Sequence, residues 1–366
     1  MAKSVPQHSY PSQHTTTGPS TAYSSPHGLS PAIQALVNDV ATLSIPGLSS
    51  SPTDTPSCPI STVPEEILAD ILIHLAMEDF VSFVRLAQVC KRLAYLTTTE
   101  DRVWKHIVLG HDHGFAAMHY TWACEVDGEP LGNNEQGGFL LGAATLGLSD
   151  VDDTPSFTSL TQCLVPAVYP TYRILFQRRP RVRFNGCYIS TVNYMRPGQS
   201  SPTSLTWNSP IHIVTYYRYL RFLRDGTCIS LLTTSEPADV VPYLYVKHIH
   251  KNHGSLPTAP MKDALLGRWR LTGPDRLHAP EHAEKEGTLI VETEGVLPKY
   301  LNKMAFRVGN TGRGATNNKL MWQGYWSYNR LTDDWAEYGL KNDRAFYWSR
   351  VKSYGLSWDE GAFKPN

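Results

Sequence analysis

The chain has little of what would assign it to several large protein classes. Its six cysteines are spread over 366 residues as Cys58, Cys90, Cys124, Cys163, Cys187 and Cys228, with no C-x-x-C pair. That usage is expected of reduced, intracellular thiols rather than a disulfide framework. Net charge is missing too. Thirty-three basic side chains meet thirty-three acidic ones, so no global field draws the chain to nucleic acid or an anionic membrane. Neither is expected as a partner. No apolar run approaches the ~20 residues a spanning helix needs, and the run at 139–148 is too short. The N-terminus offers Lys3 without an apolar core segment, so no signal peptide is expected. No N-x-[ST] glycan acceptor occurs. The expected location is cytoplasmic, nuclear or both.

Signatures of catalysis and of cofactor binding are equally scarce. There is no G-x-S-x-G elbow. The glycines of GNTGRG at 309–314 do not fall in phosphate-loop order, and a hairpin connection is expected there. His248, His250 and His253 lack a Cys or carboxylate at a familiar metal spacing, so a solvated loop is expected, as for His111 and His113. Cys90, on an apolar helix face, reads as an inert buried thiol. Asp333, Asp334 and Glu337 read as a charged turn. No catalytic residue, metal or cofactor is assigned.

What is present divides the chain. Residues 1–57 are nearly half Ser, Thr and Pro, a composition that cannot offset its ordering entropy. A disordered tail is expected, with a candidate short helix at 31–43 where Ile33, Leu36, Val37 and Val40 share a stripe.

Residues 58–110 are helical by periodicity. A first helix starts near Thr62, where Thr62 and Glu65 fit a capping box and Pro64 suits a first turn. It carries Leu68, Ile71, Leu72 and Leu75 as a stripe, with Ile67 beside it. A second helix is predicted over 79–96, with Phe83, Leu86, Cys90 and Leu93 on one side and Val89 adjacent. A third starts near Thr99 and groups Val103, Trp104 and Ile107. Fewer than ~60 residues bury apolar surface poorly, so a stripe of this size should be covered by something else.

The run Val63-Pro64-Glu65-Glu66-Ile67-Leu68, then Ile71 and Leu75, then Leu86-x-x-Val89-Cys90, ending on Trp104, resembles an F-box. In that family the helices dock on a Skp-type adaptor, which bridges to the cullin and RING subunits of an SCF ubiquitin ligase. The resemblance therefore implies adaptor contacts by Pro64, Ile67, Leu68, Ile71, Leu75, Leu86, Val89, Cys90 and Trp104. Val63 stands where the family usually has Leu, a change of similar volume.

A helix over 111–123 and a long flexible loop are expected to fill 111–165. Tyr172, Leu175 and Phe176 suggest a short helix stopped by Pro180. From Arg181 the period switches from 3.6 to 2, with a bulge permitted at Gly186. The region 213–223, the Asp225-Gly226 pair and 227–233 form the strongest hairpin signal. Further strands are predicted over 267–272, 288–293, 303–308, 319–328, 335–339 and 345–351.

Eight or nine strands joined by turns suggest a closed antiparallel barrel over 166–356, followed by a tail at 357–366. The fold class is thus α+β: a helical F-box and then a mostly antiparallel, lipocalin-like β-barrel. Gly267-Arg268-Trp269 resembles the G-x-W signature of lipocalin-type barrels, although not on the first strand. Abundant large aromatics make a filled interior the expectation.

The order of F-box, RPRVRFNGCYIS, YYRYLRF, LLGRWRL and NNKLMWQGYWSYNRLTDDWAEYG is similar to the F-box only protein 9 family and its fungal relatives. That resemblance implies a non-catalytic substrate receptor. The alternative is a barrel binding a small molecule or lipid, with the helices as a cap. Arg181, Arg183, Arg218 and Arg221 are candidate substrate-binding residues, since guanidinium groups suit phosphate or carboxylate. Structural arginines pairing acids between barrel and F-box are the competing reading.

Overall fold

The computed structural model describes residues 60, 63–131, 161–197, 211–273, 286–312 and 315–354. The N-terminal tail, the candidate helix at 31–43, the Thr62 cap, the run at 139–148 and the C-terminal tail lie outside the described residues.

The helical part begins with α1 (Glu65–Glu78). Pro64 precedes it at the cap position, and Glu65 and Glu66 occupy the first turn, where the helix dipole favours carboxylates. Its inward stripe is Leu68, Ala69, Leu72 and Ala76, the 3.6-residue period of a one-sided helix.

The single helix predicted over 79–96 is instead broken in two. Helix α2 (Phe80–Arg85) runs into a 3-10 turn at Leu86–Gln88, and α3 (Lys91–Thr99) restarts after Cys90. Each piece has its own cap. Asp79 accepts from the amides of Val81 and Ser82, and the Cys90 sulfur accepts from Leu93 N at 3.5 Å. Cys90 is therefore exposed at a helix start, not buried on an apolar face. Helix α4 (Asp101–Leu109) follows, capped by Glu100. Arg92 of α3 reaches back to the carbonyl of Val63 at 2.9 Å, fastening the entry of α1.

Residues 111–131 are not the predicted helix. They form an irregular strap of bends and turns, anchored by buried Phe115, Ala117, Met118, Cys124 and Val126. Its backbone groups find partners on the barrel instead of in a helical ladder. Leu271 N donates to the carbonyl of His119. Arg224 donates to the carbonyls of His111 and Asp112, and Arg268 to that of Cys124.

Helix α5 (Tyr172–Arg178) leads to the sheet. Its first amide, Tyr172 N, donates to Asp101 Oδ1 at 3.0 Å, tying α5 to the start of α4. The predicted pairing from Arg181 is corrected here: 180–184 joins no strand, with Arg181 lying over Phe176 of α5 and Arg183 and Phe184 over Trp348 and Trp269 of the barrel.

Nine strands are formed among the described residues: β1 (Gly186–Pro197), β2 (Ile211–Phe222), β3 (Thr227–Thr233), β4 (Leu265–Leu271), β5 (Thr288–Glu294), β6 (Tyr300–Gly309), β7 (Lys319–Asn329), β8 (Asp334–Glu337) and β9 (Phe346–Arg350). All pairings are antiparallel. The order is β6-β5-β4-β3-β2-β1-β9-β7-β8, and β6 also pairs with β7. Eight strands thus close on themselves and β8 hangs from β7, giving a closed eight-stranded antiparallel barrel behind the helices. The β2–β3 turn needs Gly226, whose φ is +92°. A Cβ there would also meet that of Ala123 at 2.6 Å, so the strap lies directly on this turn.

Alternation along the strands gives the barrel two layers. Tyr188, Leu220, Phe222, Trp269, Leu271, Val291, Phe306 and Phe346 face inward and are buried. Side chains, not a hollow, therefore occupy these interior positions. They form one continuous core with Leu68, Leu72, Phe83, Trp104, Ile107 and Phe176 of the helices. Tyr219, Ile229 and Leu231 face the other way, under a cover of short turns from 237 to 264 that includes Val240, Leu244 and Met261.

Candidate functional site

The chain presents two ends, and the helical end carries the apolar surplus. On α1, Ile67 and Ile71 sit one turn apart and stay 50% and 52% exposed, while Leu68 is 5% exposed. Val81, Val84 and Val89 on the next elements are 56%, 46% and 69% exposed. Each such half-exposed aliphatic leaves about 1 kcal/mol of burial unrealised, half of the 1.5–3 kcal/mol for a whole side chain. A pocket of about 280 Å³ opens beside Val84, lined mainly by Phe80, Phe83, Ala87, Trp104 and Phe176 with Arg173 at its edge.

The sequence-predicted adaptor residues divide across this surface. Pro64, Ile67, Ile71, Val89 and Cys90 are exposed, and Leu75 and Leu86 are half-buried. Leu68 and Trp104 belong to the interior: Trp104 is 6% exposed and donates Nε1–H to the Thr97 carbonyl at 2.9 Å. Both side chains pack within the fold of this chain. The predicted stripe put Leu68 and Ile71 on one side, whereas α2 and α4 cover only the Leu68–Leu72–Ala76 side.

The candidate substrate-binding arginines do not gather into a site. Arg181 donates to the His113 carbonyl at 2.8 Å and lies 4.1 Å from the Phe176 ring centre; burial pushes its pKa down to about 10. Arg183 donates to the carbonyl of Thr316 at 2.6 Å, over Trp348. Arg218 pairs with Asp343 at 3.1 Å beside Trp322. Arg221, 4% exposed, donates to the Leu244 carbonyl and stacks 3.5 Å from the Tyr354 ring centre. All four are committed within the fold. Three of the four use carbonyls and aromatic faces rather than the acids expected of structural pairing.

Arg179, in the same basic run, is 2% exposed, pairs with Glu286 at 3.1 Å, and lies over Phe115 and Tyr120. A guanidinium in an apolar place needs such a shell of partners. Its only signal was membership of the basic run at 178–183.

The histidines are likewise more embedded than expected. His253 is 3% exposed, with Nδ1 at 3.0 Å from Thr258 Oγ1 and its ring stacked on His250. His248 Nδ1 meets the Tyr243 carbonyl at 2.9 Å. These contacts replace the expected solvated loop. Among the described residues, no cluster of three or more His, Cys, Asp or Glu is arranged around a metal position. His113 and His119 sit at the helix–barrel joint, and burial lowers the pKa of each. His119 Nε2 contacts the Arg224 carbonyl at 2.7 Å, and its ring meets Trp269 edge-on. Burial pushes the thiols of Cys124 and Cys187 up to about 11 and about 12, which suppresses thiolate chemistry. Among the described residues no helix is long and apolar enough to cross a membrane.

Comparison with known proteins agrees with this division. The F-box-like family model matches residues 60–110. The model of the F-box only protein C-terminal region matches 164–327, ending inside β7. The chain is 32% identical to F-box protein pof7 of Schizosaccharomyces pombe over 203 residues, 54% of this chain and 50% of that protein. It is also 32% identical to F-box protein HRT3 of Saccharomyces cerevisiae over 190 residues, 50% of this chain and 46% of that protein. The chain spans about half the length of these curated relatives. No solved structure matches it. By these matches the chain carries a helical segment similar to the F-box, joined to a region similar to the C-terminal region of F-box only proteins.

Proposed function

We propose that the protein is a non-catalytic substrate receptor of an SCF-type ubiquitin ligase. The helical end binds a Skp-type adaptor, which links it to the cullin and RING subunits, and the barrel end holds a target protein. Ubiquitin transfer then follows from proximity: the receptor raises the local concentration of a target lysine near the charged conjugating enzyme. The observation that carries this reading is the exposed aliphatic set Ile67, Ile71, Val81, Val84 and Val89 within the segment that matches the F-box-like model. Surface of that kind, left by helices that otherwise pack well, needs a partner to cover it. The place of action is cytoplasmic, nuclear or both.

The reading differs from that of a ligand-binding barrel with a helical cap in what the interior holds. Trp269, Tyr188, Phe222, Phe306 and Phe346 fill inward positions where such a ligand would sit.

The test is affinity capture from cells with the full chain and with Ile67→Asp/Ile71→Asp. The unaltered chain should bring down the adaptor together with ubiquitinated targets. The variant should retain targets, no longer ubiquitinated, without adaptor. Equal adaptor recovery with both, from a folded variant, refutes the assignment.

A further inference from the structure

The barrel end opposite the helices carries a feature that the closure of the barrel does not require. Strand β8 is a four-residue appendage, all four residues exposed, and it lies beyond the matched C-terminal region. One of its edges pairs with β7. Among the described residues the other edge pairs with no strand. Natural sheets avoid such edges or use them to add a strand.

Its two faces are chemically distinct. Trp335 and Glu337 share one face, opposite Tyr328 and Trp326 of β7. Trp335 is 55% exposed and lies against Tyr328, ring centres 4.8 Å apart. Lys303 Nζ already sits 5.6 Å from the Trp335 ring centre, so this indole is placed where a cation can approach it. Asp334 and Ala336 occupy the other face. The carboxylates of Asp334 and Glu337 form no ion pair among the described residues.

The geometry points to β8 as a strand-addition site for an extended, basic segment of a target protein. The added strand takes its main-chain hydrogen bonds from the free edge. Its side chains alternate in direction, so one Arg or Lys reaches Trp335 and Glu337 on one face while the next reaches Asp334 on the other. An indole face and a carboxylate together favour a guanidinium. Main-chain pairing supplies affinity without sequence preference, and the acid–aromatic pair supplies the preference for basic segments. This inference rests on the reading of the barrel end as the target-binding end.

The experiment titrates the full chain with a synthetic peptide alternating Arg with Thr and Val, followed by fluorescence anisotropy. Three comparison peptides carry Glu for Arg, carry Pro at alternate positions, or scramble the alternation at constant charge. The alternating Arg peptide should bind, with the other three weaker by about tenfold or more. Trp335→Ala and the pair Asp334→Lys/Glu337→Lys should each weaken it to a similar degree. No binding by the alternating peptide, equal binding of the Pro or scrambled peptide, or equal binding to the variants overturns the proposal. Adaptor capture is measured on the same variants. Adaptor binding that persists when the peptide fails sinks the β8 site alone, whereas peptide binding without adaptor binding sinks the receptor reading and leaves the site standing.

Discussion

Replacing Phe176 by Ala should unsettle both ends of the molecule at once. Phe176 is 8% exposed and touches three groups from different elements: Phe80 at 5.4 Å and Trp104 at 5.6 Å between ring centres, and the Arg181 guanidinium at 4.1 Å. Truncating a buried Phe costs about 3–5 kcal/mol through lost transfer energy and the remaining cavity. Arg181 also loses an aromatic face, a contribution of about 0.5–2 kcal/mol, but keeps its bond to the His113 carbonyl. The expected total is ~5 kcal/mol. At roughly 2–4 °C per kcal/mol for a domain of 150–250 residues, the melting midpoint should drop by about 10–20 °C. The decisive readout is the coincidence of two signals: far-ultraviolet circular dichroism, weighted to the helices, and tryptophan fluorescence, weighted to the barrel by Trp269, Trp322, Trp326, Trp335 and Trp348 and read alongside a Trp104→Phe background that silences the helical indole. Since one core runs from Leu68 to Phe346, both should move together and remain a single transition. If the helices melt early while the barrel midpoint stays in place, the two ends are separately stable and the continuous-core argument fails.

Three other outcomes follow from the joint and the surfaces. His119 has a folded-state pKa below its ordinary value because it is buried, so as pH falls through about 6.5 the unfolded chain takes up a proton first. Stability present above that pH is then lost as pH drops toward the folded pKa. His113 acts in the same direction. His119→Gln, which keeps a donor for the Arg224 carbonyl, should flatten the decline in a pH series of melting midpoints; an unchanged slope would count against the joint. Arg221→Met should cost about 2–4 kcal/mol in denaturant unfolding, since it strands the Leu244 carbonyl and removes the cation from Tyr354. A neutral result would reopen Arg221 as a binding residue. Leu68→Asp should leave little folded protein, because it buries a charge in the core. Soluble, folded Leu68→Asp that merely loses adaptor would show Leu68 to be a surface residue.

Much of the fold was legible because two periodicities dominate the chain. The switch from 3.6 to 2 placed most strands within one to three residues, and the Asp225-Gly226 hairpin was marked by a turn that only glycine suits. The elements that sequence misplaced are those whose backbone partners are distant in the chain. The start of the strap, 111–123, looked helical, yet carbonyls of the strap are taken by Arg224, Arg268 and Leu271, more than a hundred residues away. The second helix was drawn unbroken because no proline or glycine announces the restart at Cys90, whose sulfur supplies the cap. On α1, periodicity identified the apolar residues without choosing which would face inward, and only the packing of α2 and α4 separates Leu68 from Ile67 and Ile71. The four arginines admitted two readings in sequence, contacts to a substrate's phosphate or carboxylate and structural pairing with acids. Arginine in sequence carries no mark of whether carbonyls and rings await it.

The central claim is that the exposed aliphatics of the helical end are an adaptor surface on a folded, two-ended molecule. Titration of the full chain with a purified Skp-type adaptor in a calorimeter tests it most directly. The account predicts saturable one-to-one binding with a negative heat-capacity change from apolar burial. Ile67→Glu/Ile71→Glu forfeits about 1 kcal/mol of burial at each site and adds a comparable penalty for each charge, so affinity should fall by about 100-fold or more while the melting midpoint moves by only a few degrees. A folded chain that does not bind the adaptor, or a double variant that binds it as tightly as the unaltered chain, would contradict the account.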